Sequence, residues 1–299
     1  MLRISKSEHI HLMHAGVEPV AHVESGTRMV LETWDALEGK TLKNNGPTDY
    51  PPLTARNTNP ATGPVFVNNA CPGDVLEVEI HDIVPDKTGY MYLHEEMLTR
   101  DNSRGYEYVQ FEIKDGLIMF NGKMLPADPM IGVIGTAPLE SAWCQENGNH
   151  GGNMDTRIIK KGVKVLLPVF VEGGLLALGD LHAVQGDWEV FGQGIEIGAE
   201  VELSVRLRKD IKIQWPVVIG EDRISCIVSG SDIKKASYQA VREMGQFLVN
   251  ALGLDYRDAS ALVAFYGNLI LCQIVNPQMT VRMEIKKEHI ELCLKERKV

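Results

Sequence analysis

The chain has 299 residues, 44% of them hydrophobic, so it is long enough to bury one large core or two smaller ones. Its 30 basic and 40 acidic residues give a formal charge of −10, which disfavours nucleic-acid binding and remains compatible with binding metal cations. Five cysteines without a C-x-x-C pair indicate a reduced, intracellular protein. Neither a secretion signal nor an uninterrupted apolar span is visible, so we expect a cytoplasmic protein that does not contact the membrane.

Short segments in the first two thirds of the chain alternate apolar and polar residues. Residues 27–33, 74–80 and 199–205 show this period of two, and each follows a turn that contains glycine. A glycine turn followed by an alternating segment is typical of strands joined by tight turns. We therefore predict a mainly β fold, with a β-sandwich or barrel-like core over residues 1–225.

Two stretches between the predicted strands are expected to be long loops. Residues 44–64 are rich in glycine and proline, and residues 88–104 are the second candidate.

The last third of the chain changes character. Residues 231–252 predict a helix capped by Ser231 or Asp232 and ended by Gly253. Its expected apolar face consists of Ile233, Ala240, Val241, Met244, Leu248 and Leu252.

A second helix is predicted over residues 259–274. It is apolar around most of its circumference, so we expect it to be buried. A strand over residues 280–285 follows. Residues 226–299 should therefore form a smaller α+β portion packed on the β core as one integrated unit.

The residues that follow one apolar segment are candidates for a metal site. Residues 174–179 lead directly into Asp180 and His182, whose spacing places both side chains on the same face if the strand continues. Asp155, in a glycine-rich loop just upstream, can supply a third ligand, and His150 or Asp35 a fourth. Mixed nitrogen and oxygen ligands favour Zn²⁺ over Ca²⁺, which prefers oxygen alone. The alternative is that Asp180 and His182 only bond turn backbone, and that Asp35 caps a strand end.

The same region offers groups for proton transfer and substrate binding. Burial near Trp188 would raise the pKa of Glu189, which suits a general acid or base. Asp187 is a second candidate, or else a solvated carboxylate at a strand end. Gln185 and Asn153 can orient a substrate or an oxyanion, or else satisfy loop backbone. The candidates are therefore Glu189, Asp187 and Gln185 for catalysis, and Asn153, Trp188 and Gly152 for substrate contact.

Cysteine and histidine residues outside this stretch offer weaker alternatives. Cys144 lies six residues from His150 and is a possible nucleophile, but a small buried cysteine is the preferred interpretation. His9 and His11 can share a strand face and bind a metal ion, although we expect them to be edge-strand residues.

An ordered set of phrases resembles the acetamidase/formamidase family of amide hydrolases. They are ETWDA (32–36), NPATGPVFV (59–67), ACPGDVL (70–76), GVIGTAP (132–138), GGNMD (151–155), GDLHAVQGD (179–187), QIVNP (273–277) and VR (281–282). The resemblance implies a β-rich, intracellular homo-oligomer that hydrolyses small amides. One departure is QGDWE at residues 185–189, where the family usually has QGDGE. Trp188 in place of glycine can narrow the pocket or alter a turn that requires a positive φ.

The sequence therefore predicts hydrolysis of short aliphatic amides, of the formamide or acetamide type, to a carboxylate and ammonia with the help of a divalent metal ion. The alternative is a non-catalytic β-sandwich protein that binds a small ligand, with a structural metal and with Trp188 filling the pocket.

Overall fold

The computed structural model describes residues 1–43, 56–94 and 106–295. Positions 44–55 of the first predicted loop and 95–104 of the second lie outside the described residues. Residues 61–64 of the first predicted loop belong to the strand Ala61–Val67, and residues 88–94 of the second form the strand Thr88–His94.

The described residues form mostly short strands. In chain order they are β1 (Leu2–Ile4), β2 (His9–Ile10), β3 (Leu12–Met13), β4 (Ala21–Val23), β5 (Thr27–Thr33), β6 (Ala61–Val67), β7 (Val75–Pro85), β8 (Thr88–His94), β9 (Tyr106–Lys114), β10 (Leu117–Phe120), β11 (Lys123–Pro126), β12 (Met130–Gly135), β13 (Ala142–Trp143), β14 (Asn147–Gly148), β15 (Gly151–Asn153), β16 (Lys164–Pro168), β17 (Leu176–His182), β18 (Glu196–Ile197), β19 (Ala199–Arg208), β20 (Val217–Ile219), β21 (Arg223–Gly230), β22 (Asn268–Gln273) and β23 (Met279–Lys286). The helices are α1 (Lys40–Lys43), α2 (Ile233–Asn250), α3 (Tyr256–Tyr266) and α4 (Lys287–Lys295).

Two large sheets carry the fold. The first has the strand order β1-β5-β19-β7-β16-β20-β21-β23-β22. The second follows β11-β10-β9-β8-β18-β17-β12-β15-β14, and β6 joins β2 and β4 to β17. A small third sheet pairs β3 with β13.

The main hydrophobic core lies between the two large sheets. Leu31, Val165 and Val201 of the first sheet belong to the same buried cluster as Val65 and Leu178 of the second. Strand β19 shows why, because its buried residues alternate with residues of greater exposure as the period of two requires. The sheets remain open across the described residues, so the sandwich alternative holds and the barrel alternative does not. The prediction of a mainly β fold with a smaller helical portion near the C-terminus is confirmed.

Helices α2, α3 and α4 cover the other face of the first sheet. Leu166 points away from its neighbours Val165 and Leu167 and joins a second buried cluster with Cys226, Ala240 and Met283. The predicted boundary at residue 225 falls inside β21, which pairs with both β20 and β23. In the described part of the chain, no helix combines the length and apolarity needed to cross a bilayer.

The first predicted helix is present as α2, two residues shorter at each end. Asp232 is its N-cap, and its side chain accepts a hydrogen bond from the Lys235 backbone N–H at 2.9 Å. Ala240, Met244 and Leu248 are buried as expected, but Ile233 at the first helical position is 42% exposed. The expected apolar face is therefore correct in its centre and wrong at its start.

The second predicted helix is wrong in its second half. Helix α3 ends at Tyr266, Gly267 adopts extended backbone, and residues 268–273 form strand β22 against β23. An apolar run has no periodicity that separates a buried helix from a strand, so only the pairing with β23 decides the conformation. The predicted burial is also wrong, because Phe265 and Tyr266 of α3 are 73% and 47% exposed.

Candidate functional site

Strand β17 brings the candidate metal ligands into the interior. It pairs with β12 on one edge and with β6 and β18 on the other, and all seven of its residues are buried. Asp180 and His182 lie at its end, and Asp155 follows β15 on the far side of β12. One ligand atom from each of these three residues lies within 4.8 Å of the others. The structure therefore brings together three of the five predicted ligands.

Amide side chains hold one oxygen of each carboxylate. Asn59 donates to Asp180 Oδ2 at 2.7 Å, and Asn276 donates to Asp155 Oδ2 at 2.8 Å. The other oxygen of Asp155, Oδ1, is buried without a hydrogen-bond partner. Each carboxylate is thus fixed in orientation and still has one oxygen to offer. Asn59 and Asn276 occur in two of the family phrases quoted above, where no role was predicted for them.

Gln185 determines which nitrogen of His182 carries a proton. Its amide Nε2 donates to the Asp155 main-chain carbonyl at 2.8 Å, so its Oε1 faces His182 Nδ1 at 2.6 Å. That oxygen can only accept, and Nδ1 must therefore carry the hydrogen. In a neutral His182 the lone pair is then on Nε2, the nitrogen that faces the carboxylates. A metal-binding histidine needs this arrangement.

Two further carboxyl groups lie beside these three residues. We call the five residues together the carboxylate cluster: Asp155, Asp180, His182, Glu189 and Glu196. Glu189, predicted as the acid or base, is 5% exposed and lies close enough to interact with Asp155. Glu196, which the sequence analysis missed, lies with Oε1 3.3 Å from His182 Nε2, an ion-pair distance without hydrogen-bond alignment. It starts β18 and pairs in register with His182. No local signal marks this glutamate, because only strand pairing places it in the site.

Several polar atoms of this cluster are buried without a hydrogen-bond partner. Within the described residues, four atoms of the cluster are buried without a hydrogen-bond partner: Asp155 Oδ1, His182 Nε2, Glu189 Oε2 and Glu196 Oε2. Buried acceptors without a partner are costly, and several at one point indicate a missing positive group.

The electrostatics of the cluster give the same indication. Burial, followed by repulsion from neighbouring carboxylates, raises the pKa of Asp180 and that of Glu189 well above their ordinary values. Burial raises the pKa of Asp155 as well. For His182, burial lowers the pKa, but Glu196 and the two aspartates outweigh it and raise it well above its usual range. A divalent cation among these groups would oppose the rise in the carboxyl pKa values.

The backbone of the site is strained at its carboxylates. Asp155, Asp180 and Glu189 have φ values of 44°, 54° and 48°, in the left-handed region that residues other than glycine rarely adopt. Such strain persists where the surrounding structure enforces it, and it is frequent at functional sites.

Asp187 and Asp35 lie outside the three-residue cluster. Asp187 accepts two hydrogen bonds from the buried Arg282 guanidinium, at 2.6 and 3.2 Å. Asp35 accepts from the backbone N–H groups of Leu37 and Gly39 at 2.9 and 3.0 Å. Asp35 thus has the turn-capping contacts that were given above as its alternative role. Asp187 orients Arg282, which appears above only within a family phrase.

The other predicted residues of the glycine-rich loop are also buried. His150 is 4% exposed, and burial lowers its pKa to about 4, so its imidazole is neutral near pH 7. A Cβ on Gly152 would clash with the Glu146 main-chain oxygen, and the φ of Gly152 is 73°, so this position requires glycine. The Asn153 main-chain carbonyl accepts from Asn276 at 3.0 Å, while its side-chain oxygen has no partner.

Trp188 does not fill the site. Its side chain is 51% exposed, and its backbone N–H donates to the Cys272 carbonyl at 2.8 Å. Its φ of 83° is in the region that favours glycine, so this position does require a positive φ. The feature that would favour the non-catalytic alternative, a pocket filled by Trp188, is thus not observed.

Cys144 is the small buried cysteine that the sequence analysis preferred. Its thiol has no exposed surface and donates to the Ile10 carbonyl at 3.4 Å, and burial raises its pKa to about 12. A thiol in this state is a poor nucleophile.

We therefore expect Cys144→Ala to keep the amide hydrolysis that the family resemblance implies within about twofold of wild type, while costing about 1 kcal/mol of stability for the lost volume. Ammonia release and urea unfolding of the same preparation measure both quantities. A loss of activity in a variant with unchanged stability would restore the cysteine as a nucleophile.

Comparison with known proteins places this chain in a family. The profile described as the Acetamidase/Formamidase family matches residues 4–148 and 143–243. Formamidase from Methylophilus methylotrophus is 23% identical to this chain in an alignment that covers 66% of this chain and 63% of that protein. The chain thus spans just under two thirds of the length of the curated relatives it matches.

Solved structures match over nearly the whole chain. Acetamidase from Bacillus halodurans superposes with a TM-score of 0.88 at 35% identity and covers 98% of this chain and 99% of that one. A predicted acetamidase/formamidase from Thermoanaerobacter tengcongensis gives a TM-score of 0.90 at 36% identity, with coverage of 98% and 97%. Together with the family profile, these matches show that the chain belongs to the acetamidase/formamidase family.

Proposed function

We propose that this protein hydrolyses the C–N bond of short amides, giving a carboxylate and ammonia, at the cluster of Asp155, Asp180, His182 and Glu189. The observation that carries this proposal is the convergence of unpartnered, buried ligand atoms beside a carboxyl group whose pKa is raised. Family membership supports the same reaction. We further propose that the protein acts as a homo-oligomer in the cytoplasm.

Amide hydrolysis needs an activated water, a polarised carbonyl and an acid for the leaving nitrogen. Glu189 can supply both proton transfers: it takes a proton from water as a base and then gives it to the departing nitrogen as an acid. Burial and the neighbouring Asp155 raise its pKa, which increases the proton affinity of its carboxylate. The unpartnered side-chain oxygen of Asn153 can accept a hydrogen bond from a substrate N–H.

The residues present fit a divalent cation. Asp155 and Asp180 offer carboxylate oxygens, His182 offers Nε2, and Gln185 holds the histidine in the required tautomer. When bound there, Zn²⁺ or a similar ion would lower the pKa of a water molecule and polarise the amide carbonyl. Ca²⁺ is the less favoured ion because of the histidine nitrogen.

Ammonia release from formamide, acetamide and propionamide tests the reaction, with metal content measured by elemental analysis on the same sample. We expect turnover to follow metal occupancy, to vanish on chelation and to return when Zn²⁺ is added. Full activity of metal-free protein would contradict the proposed role of the metal ion. If metal-loaded protein hydrolyses none of these amides, the proposed amidase activity is contradicted.

Glu189→Gln separates proton transfer from metal binding. The amide side chain has a similar shape but cannot accept and return a proton, so kcat should fall at least about 100-fold. Metal content should remain near one equivalent, because the three proposed ligands are unchanged. Asp187→Asn is the control, since Asp187 contacts Arg282, and it should keep kcat within about tenfold. A larger loss in Asp187→Asn than in Glu189→Gln would reverse these two roles.

Metal binding should change the pH dependence of stability. Asp155, Asp180, Glu189 and His182 all have raised pKa values, so their stabilising contribution is present below the unfolded-state values and is lost as the pH rises through the folded-state values. A bound cation replaces the lost protons. The melting temperature of metal-loaded protein minus that of metal-free protein should therefore grow between pH 5 and 8. A constant or shrinking difference would contradict this prediction.

A further inference from the structure

An apolar cavity of about 420 Å³ adjoins the carboxylate cluster. The described part of its wall consists of side chains from β8 to β11 and of the segment 184–195. The strand residues are apolar, and Phe111 and Phe120 place their ring centroids 5.8 Å apart. Gln185 and Glu189 belong both to this wall and to the cluster. The cavity is therefore the neighbouring space into which a molecule at Glu189 can extend.

The volume of this cavity is too large for the smallest amides. Formamide and acetamide have three and four non-hydrogen atoms and occupy roughly 60–90 Å³, judged from the volume of a water molecule in the liquid. A cavity of about 420 Å³ is within the range of pockets that enclose ligands of much larger size. Acetamide would leave most of the apolar wall facing water, and apolar cavities hold water poorly.

The arrangement of polar groups sets the orientation of a larger ligand. Among the lining residues, Glu189 and Gln185 are those that also reach the cluster, while Met91, Phe111 and Ile118 belong to the strand side of the wall. A ligand with one amide group and one apolar group matches this division, with the amide at Glu189 and the apolar group among the strand side chains.

We infer that the preferred substrate is an amide with an apolar substituent of about hexyl or phenyl size, which the cavity binds. This inference rests on the proposed amide hydrolysis and extends its substrates from short amides to larger ones. Each buried methylene favours binding by about threefold to fourfold, so several together give a large preference. The substituent can lie on the acyl side or on the nitrogen side, and the two cases differ in the product released.

The first arm of the test is a substrate series. Hexanamide and phenylacetamide carry the apolar group on the acyl side, N-hexylformamide carries it on nitrogen, and acetamide is the reference. We expect kcat/KM for at least one of the three larger amides to exceed that for acetamide by at least tenfold. Ammonia is the product with the acyl-side substrates and hexylamine with the other. Equal or better hydrolysis of acetamide would overturn the inference and leave the amidase intact.

The second arm uses two neighbouring residues of β11. Leu125 lines the cavity, whereas Met124 does not, and the two are 44% and 45% exposed. Consecutive strand residues point to opposite faces. Leu125→Asp places a charge in the apolar wall at a position whose exposure spares the fold, and Met124→Asp is the matched control.

Leu125→Asp should lower the ratio of kcat/KM for the preferred larger amide to kcat/KM for acetamide at least tenfold, while Met124→Asp leaves this ratio unchanged. Equal losses on all substrates in Leu125→Asp, or the same loss in Met124→Asp, would overturn the inference.

Thermal stabilisation keeps the cavity testable if no amide is hydrolysed, a result that would remove the proposed function. Hexanamide should raise the melting temperature of wild type more than acetamide does, and Leu125→Asp should abolish this difference. The absence of any such difference would remove the cavity as a binding site as well.

Discussion

Asp180→Asn should abolish metal binding and lower kcat/KM for amides by more than about 100-fold, a larger loss than removal of contacts outside the ligand set usually causes. The substitution keeps the shape of the side chain and the bond from Asn59, but it removes one of the two negative charges proposed to hold the ion. Ammonia release and elemental analysis measure both losses.

The same substitution should act in the opposite direction on the metal-free protein. Asp180 is 3% exposed, and the buried carboxylates around it repel one another. Removing one charge should therefore raise the free energy of unfolding of metal-free protein by about 2 kcal/mol near pH 7. Metal-free Asp180→Asn would then be more stable than metal-free wild type, whereas Zn²⁺ would stabilise wild type alone. If chelation and Zn²⁺ change the stability of both proteins equally, the ion binds elsewhere.

Gly132→Ala should disrupt the site without changing any proposed functional group. A Cβ at this position would lie 2.5 Å from Asp155 Oδ1 and 2.9 Å from Asp180 Oδ2. It would also lie 2.7 Å from the Asp180 main-chain oxygen, which cannot move without shifting β17. We expect a loss of about 1–3 kcal/mol in stability from overpacking. Displaced carboxylates should lower activity about 100-fold or more, together with metal content.

Gly245→Ala is the matched control for this substitution. Gly245 lies within α2, and a Cβ there would meet nothing within 4 Å. Alanine should therefore stabilise the protein by about 0.4–1 kcal/mol and leave activity and metal content unchanged. Urea unfolding compares the two variants. Wild-type activity and metal content in Gly132→Ala would mean that the carboxylates do not need their present positions.

Local patterns in the sequence predict the elements whose conformation depends on neighbours along the chain. Residues 27–33 form strand β5 with the predicted bounds, because their alternation and the preceding turn are local signals. Helix α2 follows in the same way from its cap and its apolar period. Residues 268–273 show the limit, because an apolar run becomes a strand only through pairing with β23.

Some residues of the candidate site could likewise be predicted from local patterns, whereas others depend on strand pairing. The spacing of Asp180 and His182 within one strand predicts their proximity, and the glycine-rich loop identifies Asp155 as a neighbour. Glu196 enters the site only through its register opposite His182.

The candidate ligand residues, the glycine-containing turns and the mainly β class could thus be predicted from the sequence alone, since each prediction depends on residue identity and short-range spacing. Tertiary structure decided which carboxylates converge, which amides orient them and how large the adjoining cavity is. The physical reason is that these properties depend on the register and packing of strands far apart in the chain, and a shift of one residue in register turns every side chain of a strand to its opposite face.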